Sequence, residues 1–332
     1  MTAADDLVAA APDEAVHPEL REPLEKYRHA VGGGGFGAIR DIQVRRERFA
    51  DYSRRAAARY TRPTDLVVRD ENVPARAGGI DVETRLYLPP SMTAARERAG
   101  WLFVHGGGMT LGSLSSSEPT AANIAINTGC PVLSVGYRLS PEVRFPGAIE
   151  DCSAALDWLF TNARDLGVDP LRLGVFGVSA GGALAAGLAE RSRDGHAPPI
   201  AKQVLIYPML DDRTSVTPTG RDAPEGTWGH RANAEAWAHY LGPCVDRSSP
   251  PLGSVPARAR SLAGMPPTYL EVGELDILAP EAIRYASRLL ESAVPTELHV
   301  HPGAFHAFDG IGTGTDVVTN ALQQRWRAMR AI

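Results

Sequence analysis

"LRLGVFGVSAGGALAAGLAERSR" occupies residues 171–193. An apolar run, "LRLGVFGV", reads as a strand buried on both faces. "ALAAGLAERSR" reads as a helix. Between them stands Gly177-Val178-Ser179-Ala180-Gly181, a G-x-S-x-G pentapeptide. A turn this short, from strand directly into helix, holds its central residue at strained backbone angles and lifts that side chain above the sheet. Small residues on either side let neighbouring backbone pass closely. The helix that follows points its N-terminal dipole and free N–H groups at the same spot. Ser179 is therefore a candidate nucleophile, and the stretch implies a strand–helix unit of a parallel sheet.

The same grammar repeats outward. "IDVETRLYLP" (80–89) alternates apolar and polar residues, as a half-buried strand does. Short apolar runs follow at 101–105, 131–137, 201–208, 266–273 and 296–302. Helix-like segments separate most of them, at 119–129, 146–166, 180–193, 280–292 and 316–330. Alternation of this kind predicts an α/β fold, a mostly parallel sheet with helices on both faces. Residues 211–265 break the pattern with many Pro, Gly and Ser and one helix-like piece, "HRANAEAWAHYLG" (230–242). So long an excursion is expected to carry structure of its own. It reads as a cap insertion over the carboxyl ends of the strands, with residues 1–60 as the N-terminal part of the same helical cap. Residues 61–210 and 266–332 are then the catalytic domain. Trp228, Trp237 and Tyr240 give the insertion apolar surface, either to cover a site or to seat its own helix.

Composition excludes several classes. Charged residues make up 22% of the 332 positions and the formal net charge is −5, with no Lys/Arg run that suggests nucleic acid. Arginines between Arg40 and Arg62 alternate with acids and alanines and read as a solvated helix face. Cys130, Cys152 and Cys244 fit neither a zinc site nor a redox pair and are expected to be reduced and buried. The stretch "MTAADDLVAAAPDEAV" carries acids where a signal peptide needs positive charge, and no stretch approaches the roughly 18 apolar residues of a membrane span. A cytoplasmic protein is the expectation. "VGGGGFG" (31–37) lacks the preceding strand and the following Lys-Ser/Thr of a phosphate cradle, so it reads as a mobile loop near a pocket.

Other residues complete the chemistry that Ser179 begins. "VHGGGM" (104–109) closes a strand with three glycines, whose backbone N–H groups can face a developing oxyanion without side chains in the way. Gly107 and Gly108 are the candidate donors, with Ala180 from the turn as the third. His105, just before them, suits a loop-holding role. "HPGAFHAF" (301–308) offers His306 as a base in a loop after the last strand, whereas His299 and His301 belong to the strand or its edge. "EVGELDIL" (271–278) offers Glu271, Glu274 and Asp276; Asp276, clear of the strand and just before the next helix, is chosen as the acid that fixes the imidazole tautomer, with Glu274 as runner-up. The chain order is Ser179, Asp276, His306.

Together these pieces resemble the hormone-sensitive-lipase-like family of α/β-hydrolases, the bacterial HGGG-type serine esterases. "HGGG" (105–108), "GYRLSPEVRFPGAIED" (136–151), "GVSAGG" (177–182), "GELDIL" (273–278) and "HPGAFHAF" (301–308) carry the resemblance, in the family's order, over roughly residues 65–330. It implies an α/β-hydrolase fold with an eight-stranded sheet and a cap made from the N-terminus and the insertion after the sixth strand. It also implies carboxylic-ester hydrolysis with water and no cofactor; no cluster of His and acids at ligand spacing calls for a metal, and a cap closing over the site favours small to medium acyl esters. Ser179, Asp276 and His306 fall on the family's catalytic positions and Gly107, Gly108 and Ala180 on its oxyanion hole. A homodimer follows only by analogy. Four positions depart from the usual pattern. Val178 replaces an acid, Ser140 and Ala307 replace Ala and Gly, and Met109 replaces an aromatic, so Met109 and Trp228 are the candidate substrate-pocket residues. Lactone or amide hydrolysis and acyl transfer share the same tetrahedral intermediate and stay open. A ligand-binding receptor on the hydrolase scaffold, such as the plant gibberellin receptors that resemble this family but lack the catalytic histidine, is disfavoured because all three candidates are present.

Overall fold

A computed structural model describes residues 13–76, 79–90, 98–214 and 222–332. The expectations for the first twelve residues and for part of the 211–265 insertion, residues 215–221, lie outside the described residues. Among the described residues no helix is long and apolar enough to cross a membrane.

Eight strands form one sheet in the order β1-β2-β4-β3-β5-β6-β7-β8. β1 (Val67–Val73) and β2 (Val82–Leu88) pair antiparallel, and β2 meets β4 (Val132–Val135) antiparallel. From there β3 (Arg98–Val104), β5 (Val168–Val178), β6 (Lys202–Ile206), β7 (Thr268–Gly273) and β8 (Thr296–His301) all run parallel. β4 and β7 are buried at every position, Ser134, Thr268 and Glu271 included, which explains their largely apolar runs.

The helices are α1 (Pro18–Val31), α2 (Ile42–Ala57), α3 (Leu114–Thr128), α4 (Gly147–Thr161), α5 (Ala180–Arg193), α6 (His230–Leu241), α7 (Ala279–Glu291), α8 (Phe308–Ile311) and α9 (Asp316–Arg330). From β3 the chain steps one way through α3 to β4, then back past β3 through α4 to β5. Right-handed crossovers in opposite directions place α3 and α4 on opposite faces. The reversal leaves β3 and β5 as neighbours whose C-terminal loops diverge, and that crevice is where open parallel sheets bind ligands. The loop after β3 is "HGGG" and the turn after β5 holds Ser179.

Several local expectations change. β1 escapes a pattern search because "VVRDENV" does not alternate; it is a mostly exposed edge strand whose charges discourage further pairing. On α2, Arg54 and Arg55 are solvated, but Arg45 is buried at 4% exposure and Arg46 turns inward. The glycine quartet is a tight turn into a 3-10 helix at Phe36–Ala38, not a free loop. Gly35, at φ +62°, lies so close to Gly226 that a Cβ would strike its carbonyl. The quartet thus lets two distant pieces of backbone touch. All three cysteines are free. Cys130 and Cys152 are buried, whereas Cys244 is exposed, because the chain leaves α6 through Gly242 before reaching it.

Candidate active site

Ser179 sits at φ +55° and ψ −118°, a region that L-residues avoid. Its own backbone holds it there. The N–H donates to Ile206 O at 2.9 Å, and its carbonyl accepts from Gly182 N at 2.8 Å and Met209 N at 3.0 Å. Each glycine of "GVSAGG" is required by contact. A Cβ on Gly182 would lie 2.6 Å from Pro208 Cβ; one on Gly177 would strike Gly181, and one on Gly181 would strike the backbone of Val104 and His105.

Ser179 Oγ lies 2.9 Å from His306 Nε2, and His306 Nδ1 lies 2.6 Å from Asp276 Oδ2. The other Asp276 oxygen accepts the Leu278 N–H at 2.9 Å, so the carboxylate is oriented by the start of α7. All three residues are buried. Glu274, the alternative acid, does not reach the imidazole; its Oε2 accepts from Gly303 N at 2.9 Å and ties the acid loop to the histidine loop. Ala307, in place of the family's usual Gly, adopts a left-handed φ of +63°, which accounts for the usual glycine.

The 105–112 loop folds over on itself. Gly107 and Gly108 have φ of +114° and +61°, and the Gly107 carbonyl accepts from Thr110 N and Leu111 N. The N–H groups of Gly107, Gly108 and Ala180 make no backbone hydrogen bond among the described residues. His105 has the loop-holding position expected for it. Its ring stacks on Tyr137 at 4.2 Å, and Nδ1–H donates to Gly106 O at 2.8 Å. Burial pushes the imidazole down to about 4, so it stays neutral at neutral pH. A cavity of about 400 Å³ is bordered by Asp70, Arg85, His105, Ser113 and Tyr137; neither Ser179 nor His306 lines it.

Two sequence-distant segments touch the loops around the site. From the N-terminal side, Arg46 donates to the carbonyls of Thr110 (2.9 Å) and Ser140 (2.8 Å), and Arg45 pairs with Glu235 of α6 at 3.0 Å. From the other, the Trp228 indole lies 5.9 Å from the His306 ring and touches Gly108, where a Cβ would come within 2.8 Å of it. Its N–H donates to the buried Asn233 Oδ1 at 3.1 Å. Trp228 keeps some exposed surface, while Met109 is fully buried among core side chains, as are Trp237 and Tyr240. α1 does something the sequence did not suggest. His17 N donates to Gly303 O at 2.9 Å and Leu20 packs against Gly312, so α1 braces the loop that carries His306.

Sequence reasoning also missed a buried cluster behind the histidine. Tyr207 follows β6, Glu271 lies within β7, Asp309 lies on α8 and Arg325 on α9. Of the four, only Glu271, a charge inside an apolar strand run, carried a local signal.

A family profile described as the alpha/beta hydrolase fold matches residues 101–310. Esterase LipI of Mycobacterium tuberculosis is 33% identical over 320 residues, 96% of this chain and 95% of its own. The ethyl acetate hydrolase of Pseudomonas putida is 37% identical over 263 residues, 74% of this chain and 79% of its own. Among solved structures, a bacterial heroin esterase superposes with a TM-score of 0.85 at 34% identity, covering 96% of this chain and 98% of the other. The chain belongs to the α/β-hydrolase family, in its hormone-sensitive-lipase-like branch. Within that family it is a carboxylic-ester hydrolase.

Proposed function

We propose that the chain is a serine carboxylesterase in which Ser179 is the nucleophile, His306 the base and Asp276 its orienting acid. The observation that carries this reading is the unbroken relay from Ser179 Oγ through His306 to Asp276, at 2.9 and 2.6 Å. Ser179 Oγ attacks the ester carbonyl while His306 Nε2 takes its proton, and Asp276 stabilises the imidazolium. The N–H groups of Gly107, Gly108 and Ala180 receive the oxyanion. Collapse of the tetrahedral adduct breaks the bond to the alcohol oxygen, which leaves with the proton from His306. Water, deprotonated by the same imidazole, then cleaves the acyl-enzyme and frees Ser179. Ester and water alone balance these steps.

Residues 13–60 and the described part of 211–265 act as the cap of this site. Trp228 forms a wall beside Gly108 and His306, which makes the cleft narrow and suits soluble esters with acyl chains of roughly two to eight carbons. Each methylene that fits adds up to about 0.8 kcal/mol of transfer energy, so activity rises with chain length until the cleft is full and then falls. The ethyl acetate hydrolase relative works on an ester within that range. The test is a series of p-nitrophenyl esters together with a fluorophosphonate probe. Labelling of Ser179 and a maximum at short or medium chains is the expected result. No labelling would overturn the nucleophile, and activity that climbs through emulsified long-chain triglycerides would overturn the narrow cleft.

A further inference from the structure

His306 has a neighbour that the relay does not use. The Tyr207 ring meets the imidazole edge-on, centroids 4.8 Å apart and planes at 62°. Tyr207 follows β6 with φ at +34°, a conformation bulky residues avoid at a cost of about 1–3 kcal/mol. Both ends of the residue are held. Its N–H donates to the Glu271 carbonyl at 2.6 Å, and its hydroxyl donates to Asp309 Oδ1 at 2.7 Å. The other Asp309 oxygen accepts from Arg325 Nη2 at 2.8 Å, and the same nitrogen donates to the Glu271 carboxylate. The circuit therefore closes on Glu271, whose second oxygen accepts the Tyr269 hydroxyl at 2.7 Å. Arg325 is 1% exposed and Glu271 fully buried.

Stability alone is a poor reason for such a circuit. Buried ion networks often stabilise no more than well-packed apolar side chains, and here a strained tyrosine adds a cost. What the circuit fixes is the surroundings of His306. Asp309 is three residues beyond His306, on the short helix α8 that ends its loop, so holding Asp309 holds the end of that loop, and holding Tyr207 fixes a ring against the imidazole.

We propose that Tyr207 is a positioning residue for His306, with Asp309 and Arg325 holding it in place. The inference rests on the reading of His306 as the base. An imidazole must stay aligned with both Ser179 Oγ and Asp276 while its charge changes, and small misplacements of such a group are costly in rate.

The test compares Tyr207→Phe, which removes the hydroxyl, Tyr207→Leu, which also removes the ring, and Asp309→Asn, which keeps an acceptor for the phenol. Rates are measured on a short p-nitrophenyl ester and normalised to sites titrated by a fluorophosphonate, so misfolded protein does not count. Expected are kcat losses of about tenfold for Tyr207→Phe and about 100-fold for Tyr207→Leu, with Asp309→Asn reduced less and KM within about threefold throughout. A kcat per titrated site within roughly twofold of wild type for all three variants, or a loss carried wholly by KM, would overturn the inference. His306→Ala separates the two readings. If it is inactive while the Tyr207 variants behave as wild type, only the positioning role fails. If it still turns over normally, the base assignment itself is wrong and the positioning role falls with it.

Discussion

Around Ser179 the contacts are backbone against backbone: Gly181 against Val104 and His105, Gly182 against Pro208, and the Ser179 peptide pinned by Ile206 and Met209. In the proposed cover, long arginines do most of the holding. Arg28 reaches the Glu225 carbonyl, Arg45 reaches Glu235, Arg46 reaches the loop after β3, and Arg231 reaches the Gly37 carbonyl. The first kind of contact tolerates no displacement, since the limit is steric. The second can lengthen, exchange with water and re-form, at about 1.5–3 kcal/mol for each charged hydrogen bond. A site whose floor is fixed and whose cover is tethered can keep its reacting geometry while admitting substrate.

The comparison can be broken from the floor first. Ser179→Ala should abolish measurable hydrolysis with the fold intact, since only Oγ is removed; activity within tenfold of wild type, as a rough bound, would remove the serine from the chemistry. Asp276→Asn should lower kcat by about 10⁴-fold through the wrong His306 tautomer. Glu274→Gln, which only weakens the tie to Gly303, should cost less than about tenfold, and a reversed order would mean the acid is misassigned. Weakening the cover should look different. Arg45→Met with Glu235→Gln removes the buried tether between α2 and α6, and should shift KM and acyl-length preference by about three- to tenfold with kcat on acetate esters nearly unchanged. A matched loss of kcat on every ester would show that the cover and the floor are one mechanical unit.

The smallest effect lies where floor and cover join. Glu281 of α7 is buried, and its carboxylate accepts from Leu210 N at 2.5 Å, from Asp211 N at 3.2 Å and from Thr214 Oγ1 at the root of the insertion. Burial, outweighing these donors, pushes it up from 4.5 to about 8. The folded chain then keeps a proton that the unfolded chain releases, so this group's contribution to stability declines as pH rises from about 4.5 to about 8 and is flat outside that window. Glu281→Gln should flatten the dependence of Tm on pH across the window. An unchanged slope would show that the carboxylate is ionised in the fold.

The floor was the legible part. Ser179 with its flanking glycines, the three glycines after His105, and Asp276 and His306 after successive strands each lie on short segments whose local pattern states their geometry. The ends of α5 and α9 also coincide with their apolar periodicity. The cover was not legible for a physical reason. Whether Arg45 faces water or Glu235 depends on a partner far away in sequence, and both outcomes leave the same local pattern. β1 was hidden because an exposed edge strand needs no alternation. Tyr207, Asp309 and Arg325 meet only because β6, β7 and β8 lie side by side and α9 packs back against them, an adjacency between elements distant in sequence.

Cys244 gives this chain a reporter of its own. The thiols of Cys130 and Cys152 are buried, and burial raises both above the usual range, which leaves little thiolate to react. Cys244 stands exposed just past the end of α6. A maleimide dye would therefore attach at one place in the unaltered protein, close to the helix that pairs with Arg45. Its fluorescence would register whether α6 shifts as an ester enters, on the same molecules whose turnover is being counted.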